Sequence, residues 1–167
     1  TKRADDPVHR IQKCENVDDA AAACGASFGL HVNAWGSKHP YLNTEYLGIL
    51  VDPANELVKN SPLGHKQVRA AINYGFDRRK MMMYLRNSIG IPAESGFIPA
   101  GLPSFDSSIV KGYHFDPQKS RQLLSEAGYP GGKGLPPIKL LTIPIYADLA
   151  SFIAKELEDI GLKVQVE

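Results

Sequence analysis

From Lys66 to Arg79 the apolar positions fall three and four residues apart. Val68, Ala71, Ile72 and Gly75 share one face, which predicts a short amphipathic helix. Lys66, Arg69 and Asn73 fall on the opposite side, where water is the expected neighbour. Ser61-Pro62-Leu63-Gly64 ahead of it reads as a turn, because Pro fixes its own backbone and Gly closes the bend. Gly75 is expected to end the helix. Asp77 is then placed to cap a second one by accepting hydrogen bonds from its first free N–H groups, with Met81, Met82 and Leu85 as the buried face.

A third helix is predicted from Asp116-Pro117. Asp satisfies the free amides at a helix start, and Pro at the first helical position loses no hydrogen bond. Ser120, Leu123, Leu124 and Ala127 form its inner side, and Gly128 supplies the stop. Beyond Pro130-Gly131-Gly132-Lys133-Gly134 the period changes. Ile138 to Ile143 reads as an apolar strand, and Leu149, Phe152, Ile153, Leu157 and Ile160 as a helical face ended by Gly161. Leu162, Val164 and Val166 then alternate with Lys163, Gln165 and Glu167. Strand, helix and strand with connections this short predict a right-handed crossover between parallel strands.

The first part of the chain is patterned less clearly. Residues 1–16 are charged and irregular, with Pro7 as an early breaker. Val17 to Cys24 is Ala-rich and helix-prone up to Gly25. Phe28 to Trp35 alternates as a strand would, Gly36 to Pro40 is a loop, and Tyr46 to Val51 reads as a mostly apolar strand bounded by Asp52-Pro53. Ser88 to Ser108 is a long Gly- and Pro-rich connection. Its Ile91, Phe97, Ile98, Leu102 and Phe105 favour packing over disorder, so it either lies on the core or lines a cleft. The expected organisation is an irregular segment, 1–16, followed by a single α/β lobe over 17–167.

Composition narrows the partners. With 19 Lys and Arg against 18 Asp and Glu, the net charge of +1 exerts no global pull on nucleic acid or on an anionic membrane. No apolar run reaches the roughly 18 residues that a membrane-spanning helix needs, and Thr1-Lys2-Arg3-Ala4-Asp5-Asp6 has no signal-peptide core. Cys14 and Cys24 are the only cysteines; they read as unpaired thiols, although an oxidising compartment would permit a disulfide.

Motifs for catalysis are not found. GxSxG, GxGxxG and HExxH are missing, and Gly132-Lys133 lacks the following Ser or Thr and the upstream Gly of a phosphate-binding loop. Adjacent carboxylates such as Asp5-Asp6 and Asp18-Asp19 would diverge on any regular element. No catalytic residue, metal site or cofactor is expected. Arg69, Arg78, Arg79, Lys80 and Arg86 form a basic set, but without interleaved aromatics it reads as the solvated faces of helices rather than a nucleic-acid surface.

The stretch S-P-L-x-x-K-x-V-R-x-A-I-N-Y-x-x-D-R from Ser61 to Arg78 resembles the signature of family 5 extracytoplasmic solute-binding proteins, the oligopeptide and dipeptide receptors of ABC importers. The likeness runs through Gly90-Ile91-Pro92-Ala93, Gly96-Phe97-Ile98-Pro99-Ala100-Gly101-Leu102-Pro103, Tyr113-His114-Phe115-Asp116-Pro117 and Leu123-Leu124-Ser125-Glu126-Ala127-Gly128-Tyr129-Pro130. With Tyr46-Leu47-Gly48 ahead, it covers residues 41–167. His65 stands where the family usually has an acidic residue.

The resemblance implies a periplasmic-binding-protein-like α/β lobe with a mixed sheet flanked by helices and a C-terminal βαβ unit. It also implies that this chain is a piece of a longer two-lobe receptor, periplasmic or anchored as a cell-surface lipoprotein. The implied partners are a peptide or other small solute, the second lobe and an ABC permease. Because the family loop of this form approaches the ligand, Phe97, Ile98, Pro99 and Leu102 are the expected ligand-binding wall, with Tyr113 and Trp35 as further contacts. The family's acidic partner of a peptide α-amine falls beyond the strand at Leu162–Val166. Two alternatives stay open: the effector-sensing domain of a transcription regulator, and a small α/β enzyme with an unrecognised site.

Overall fold

A computed structural model describes residues 42–167. The helix expected over Val17–Cys24, the strand over Phe28–Trp35, and Cys14, Cys24 and Trp35 lie outside the described residues. Among the described residues five α-helices follow in chain order: α1 (Glu56–Lys59), α2 (Lys66–Gly75), α3 (Arg78–Leu85), α4 (Pro117–Glu126) and α5 (Ala147–Glu158). Two strands, β1 (Ile138–Leu140) and β2 (Val164–Val166), flank α5 in sequence and pair in parallel, Ile138 opposite Val164 and Leu140 opposite Val166. The βαβ unit is therefore present.

The local chemistry at the helix ends follows the sequence. Asp77 accepts hydrogen bonds from the amides of Arg79 (2.9 Å) and Lys80 (3.0 Å), and Asp116 accepts one from the amide of Lys119 (2.9 Å). His65 caps nothing with its side chain. The turn ahead of α2 is held instead by Arg69, whose Nη1 donates to the carbonyls of Leu63 (2.8 Å) and Gly64 (2.9 Å). Asn73 likewise donates to the Arg69 carbonyl (2.9 Å) and accepts from Arg78 (3.2 Å). Arg69 and Asn73 are thus half-buried structural residues, not the water-facing pair that their spacing predicts.

The core sits where α2 meets α4 and α5. Val68, Ala71, Leu124 and Leu162 are fully covered, with Ile153 and Leu157 beside them. Gly75 allows this close approach, since a Cβ there would stand 2.7 Å from Ile160 Cδ1 and 2.8 Å from Leu157 Cδ2. Buried Ser120 donates its hydroxyl to the Ala71 carbonyl at 2.6 Å, and the Asp116 amide donates to the Tyr74 carbonyl at 2.9 Å. These two bonds fix α4 along α2 without leaving a polar atom unpaired, which matters because an unpaired buried polar group is costly.

Three expectations are corrected. Tyr46 to Val51 forms no strand: it is irregular and mostly exposed, because no neighbouring strand among the described residues completes its hydrogen bonds. Strand β1 stops at Leu140, short of Ile143, where Pro144 opens a 3-10 turn (Pro144–Tyr146) leading into α5. The sheet among the described residues is the parallel pair β1–β2. Helix α3 also differs, since Met81, Met82 and Leu85 are half-buried and no residue of it is fully covered. Met81 still packs against the core, and two ion pairs add to the attachment to α5, Lys80–Glu156 (2.7 Å) and Arg86–Asp148 (2.8 Å).

Candidate functional site

Between α3 and α4 the chain runs as an irregular loop carrying most of the predicted wall. The loop closes on itself where the Gly112 amide donates to the Glu94 carbonyl at 3.0 Å. The fit is tight, since a Cβ on Gly112 would meet that carbonyl oxygen at 2.6 Å. The Glu94 side chain ties the same point to α3: its two oxygens accept from Arg79 Nε (3.2 Å) and Nη2 (2.8 Å). A second anchor lies at Phe97, whose carbonyl accepts from Thr44 Oγ1 at 2.8 Å and whose ring meets the Tyr46 ring edge-on at 5.1 Å.

The paired carboxylate has a pH consequence. The hydrogen bond from Arg79, reinforced by the nearby charges of Arg79, Arg78 and His114, holds the Glu94 carboxyl below its ordinary value of 4.5 against the opposing effect of burial. A depressed folded-state pKa stabilises above the unfolded value and is lost as pH falls through the folded one. Acidification below about pH 4.5 is therefore expected to loosen the loop before the core. Hydrogen exchange at the Gly112 amide is the readout: it should rise at acid pH, and Glu94→Gln should raise it already at neutral pH. Because Arg79 is 74% exposed, the effect on global stability should be small.

The predicted residues are divided by the structure. Phe97 and Ile98 share a hollow of about 80 Å³ with Phe105, Asp106, Ile109 and Val110. Pro99 and Leu102 form the turn beside it, the Leu102 amide donating to the Pro99 carbonyl at 3.0 Å. Tyr113 stands apart from the hollow, its ring edge-on to Tyr74 of α2 at 5.0 Å, with Lys119 over the other aromatic partner at 4.7 Å. Phe97 (62% exposed) and Tyr46 (71% exposed) leave large apolar faces uncovered.

Sequence reading named Arg86 but missed its partner. Arg86 donates to Asp148 Oδ2 at 2.8 Å, and that bond together with the charges of Asp148, Glu45 and Tyr146 raises its pKa. Tyr46 meets Phe97, and Arg86 meets Asp148, across separate segments of the chain. No spacing rule connects them.

The basic set is accounted for by internal partners. Arg79, Lys80 and Arg86 each face a carboxylate, Arg69 holds a turn, and Arg78 lies over the Phe76 ring at 4.3 Å while donating to the Asn73 carbonyl at 2.9 Å. Burial lowers the Arg78 pKa against the pull of Glu94. These cations are committed to the fold. Among the described residues no group of three or more His, Cys, Asp or Glu is placed to hold a metal ion, and no helix is long and apolar enough to cross a membrane.

Comparison with known proteins identifies the fold and the family. The glutathione-binding protein GsiB of Escherichia coli strain K12 is 29% identical over 109 residues, which is 65% of this chain and 21% of that protein. Heme-binding protein A of Haemophilus influenzae is 29% identical over 126 residues, 73% of this chain and 21% of its own. The chain spans about a fifth of the length of these curated relatives. Among solved structures, the PBP AgaA from A. tumefaciens R10, in complex with agropinic acid, superposes with a TM-score of 0.57 at 30% identity, over 65% of this chain and 22% of that one. NikA from Brucella suis, in complex with Fe(III)-EDTA, superposes with a TM-score of 0.55 at 26% identity, over 64% and 24%. The α/β lobe is thus that of periplasmic binding proteins. The profile described as bacterial extracellular solute-binding proteins, family 5 Middle, matches residues 15–167, and the chain belongs to that family.

Proposed function

We propose that this chain forms one wall of a two-lobe receptor that captures a small solute outside the cytoplasmic membrane and delivers it to an ABC permease, without catalysis. In this reading Phe97, Ile98, Pro99, Leu102 and Tyr113, with Trp35 from outside the described residues, face the ligand. The observation that carries it is the uncovered apolar rim at Tyr46, Phe97 and Ile98, which a loop anchored at Glu94 and Phe97 holds in place. Ligand sites usually enclose about 300–1,000 Å³, whereas the hollow at Phe97 and Ile98 measures about 80 Å³. A wall of this kind needs a facing wall, and closure of two rigid lobes about a hinge supplies one. Ligand that binds the closed form better then shifts the open–closed balance, and the closed form is the one that docks.

Peptides are the proposed cargo. The relatives' own names and titles run from glutathione to heme, agropinic acid and Fe(III)-EDTA, so the family membership supports a solute receptor and leaves the peptide to be tested. Calorimetry on the complete receptor with a peptide that it binds provides that test. Phe97→Ala should weaken affinity about tenfold or more, as truncation of a central aromatic contact does, and Pro99→Ala by less. Unchanged affinity in both folded variants would remove this loop from the site.

A further inference from the structure

Glu94 stands three residues before Phe97, and a chain of that length spans at most about 11 Å. Whatever fixes Glu94 therefore limits where Phe97 and Ile98 can stand. The carboxylate is gripped side-on, one oxygen by Arg79 Nε at 3.2 Å and the other by Nη2 at 2.8 Å. Such a paired bond sets orientation as well as distance. The Gly112 amide holds the Glu94 carbonyl at 3.0 Å, so side chain and backbone are both tied at this residue.

Arg79 is itself presented from a fixed base. Its amide and that of Lys80 donate to Asp77, the cap of α3. Beside it, Arg78 donates from Nη1 to the Asn73 carbonyl at 2.9 Å and from Nη2 to the Asn73 side-chain oxygen at 3.2 Å, which ties the first turn of α3 to α2. Helix α2 belongs to the core through Val68, Ala71 and Ile72. At the far end of α3, Arg86 donates to Asp148 of α5. A continuous set of contacts thus runs from the core through α3 to the loop. The charged groups facing Glu94 are Arg79 and Arg78 from α3 and His114 from the segment entering α4, and all three favour the carboxylate; Asp77 faces Arg79.

We propose that Arg79 and Glu94 are positioning residues for solute capture: their ion pair holds the loop in the arrangement that meets the solute. This rests on the reading that Phe97 and its neighbours face the solute. A loop freed from the clamp samples arrangements that do not bind, and apparent affinity falls with the fraction that stays competent. An exposed ion pair shifts such an equilibrium by roughly two- to fivefold. Neither residue needs to touch the solute, so the factor belongs to the loop and is the same for every solute.

Calorimetry on the complete receptor with a library of di- to pentapeptides tests the proposal, with circular dichroism verifying the fold. At pH 7 Glu94→Gln should weaken each bound peptide by one common factor, roughly two- to fivefold, and Arg79→Gln should match it. The double variant should lose no more than either single one, because two residues that share one interaction do not add. The advantage of the wild type over Glu94→Gln should vanish as pH falls below about 4.5, since protonating Glu94 breaks the same ion pair. Titration of the peptide is common to both proteins and cancels. Equal affinities at pH 7, additive losses in the double variant, a factor that changes from peptide to peptide, or an advantage that persists in acid overturns the proposal. Phe97→Ala separates the two ways of failing. If it weakens binding while Glu94→Gln does not, the loop meets the solute and only the clamp is refuted. If neither variant weakens binding, or no peptide binds, the reading beneath the clamp falls with it.

Discussion

Replacing Gly132 by alanine is expected to lower stability by roughly 2–6 kcal/mol, from 1–3 for a strained backbone conformation and 1–3 for overpacking. Gly132 has φ +76°, and a Cβ on it would stand 1.8 Å from the carbonyl oxygen of Gly161. Gly161, at φ +99°, would in turn bring a Cβ to 2.5 Å from the Gly131 oxygen. The turn after α4 and the turn after α5 thus touch backbone to backbone, so no side chain can rotate aside. This contact fixes the βαβ unit against the α2–α4 pair. Gly134→Ala is the control, because φ there is +80° with nothing within 4 Å of the added carbon. It should show the left-handed cost alone, about 1–2 kcal/mol. Urea unfolding of both variants separates strain from collision, and equal losses would mean that the two turns do not meet.

Leu124→Ala is expected to cost about 2–5 kcal/mol, the usual range for opening a cavity in a packed core. Leu124 is 0% exposed and clusters with Val68, Leu157 and Leu162, which come from α2, from α5 and from the segment entering β2. One side chain therefore joins the helical layer to the βαβ unit. Leu57→Ala provides the contrast, since Leu57 is 79% exposed and its truncation should stay within about 0.5 kcal/mol. A small loss at Leu124, with unchanged cooperativity, would mean that the two parts of the lobe are not one core.

What the sequence disclosed was what depends on near neighbours. The caps at Asp77 and Asp116, the inner faces of α2, α4 and α5, and the parallel β1–β2 pair follow from spacing and turn chemistry within a few residues. What it hid depends on distant partners. Tyr46 to Val51 has the composition of a strand, but a strand exists only where another strand accepts its hydrogen bonds. Arg69 and Asn73 occupy the polar side of α2 by period, yet the turn carbonyls and Arg78 draw them into the structure. Met81, Met82 and Leu85 do form the inner face of their helix, half-buried with Met81 against the core, but spacing does not reveal that Lys80 and Arg86 reach carboxylates some 60 to 80 positions along the chain.

The candidate site divides in the same way. The family resemblance picked out the loop that holds Phe97, Ile98, Pro99 and Leu102. It gave no sign that Glu94 and Arg79 fasten that loop, or that Thr44 and Tyr46 meet it at Phe97. Tyr113 follows the loop in sequence but packs on Tyr74, so its proposed contact depends on how a facing lobe closes. Loop residues are positioned by the scaffold beneath them, and their own sequence says little about where they point.

The most direct measurement is a paired calorimetric titration of the isolated 167-residue chain and of the complete receptor, using one library of di- to pentapeptides. Capture between two walls predicts saturable heat from the complete receptor with at least one peptide, and none from the isolated chain with that same peptide. Binding by the isolated chain with comparable affinity would contradict it, because a single wall would then suffice.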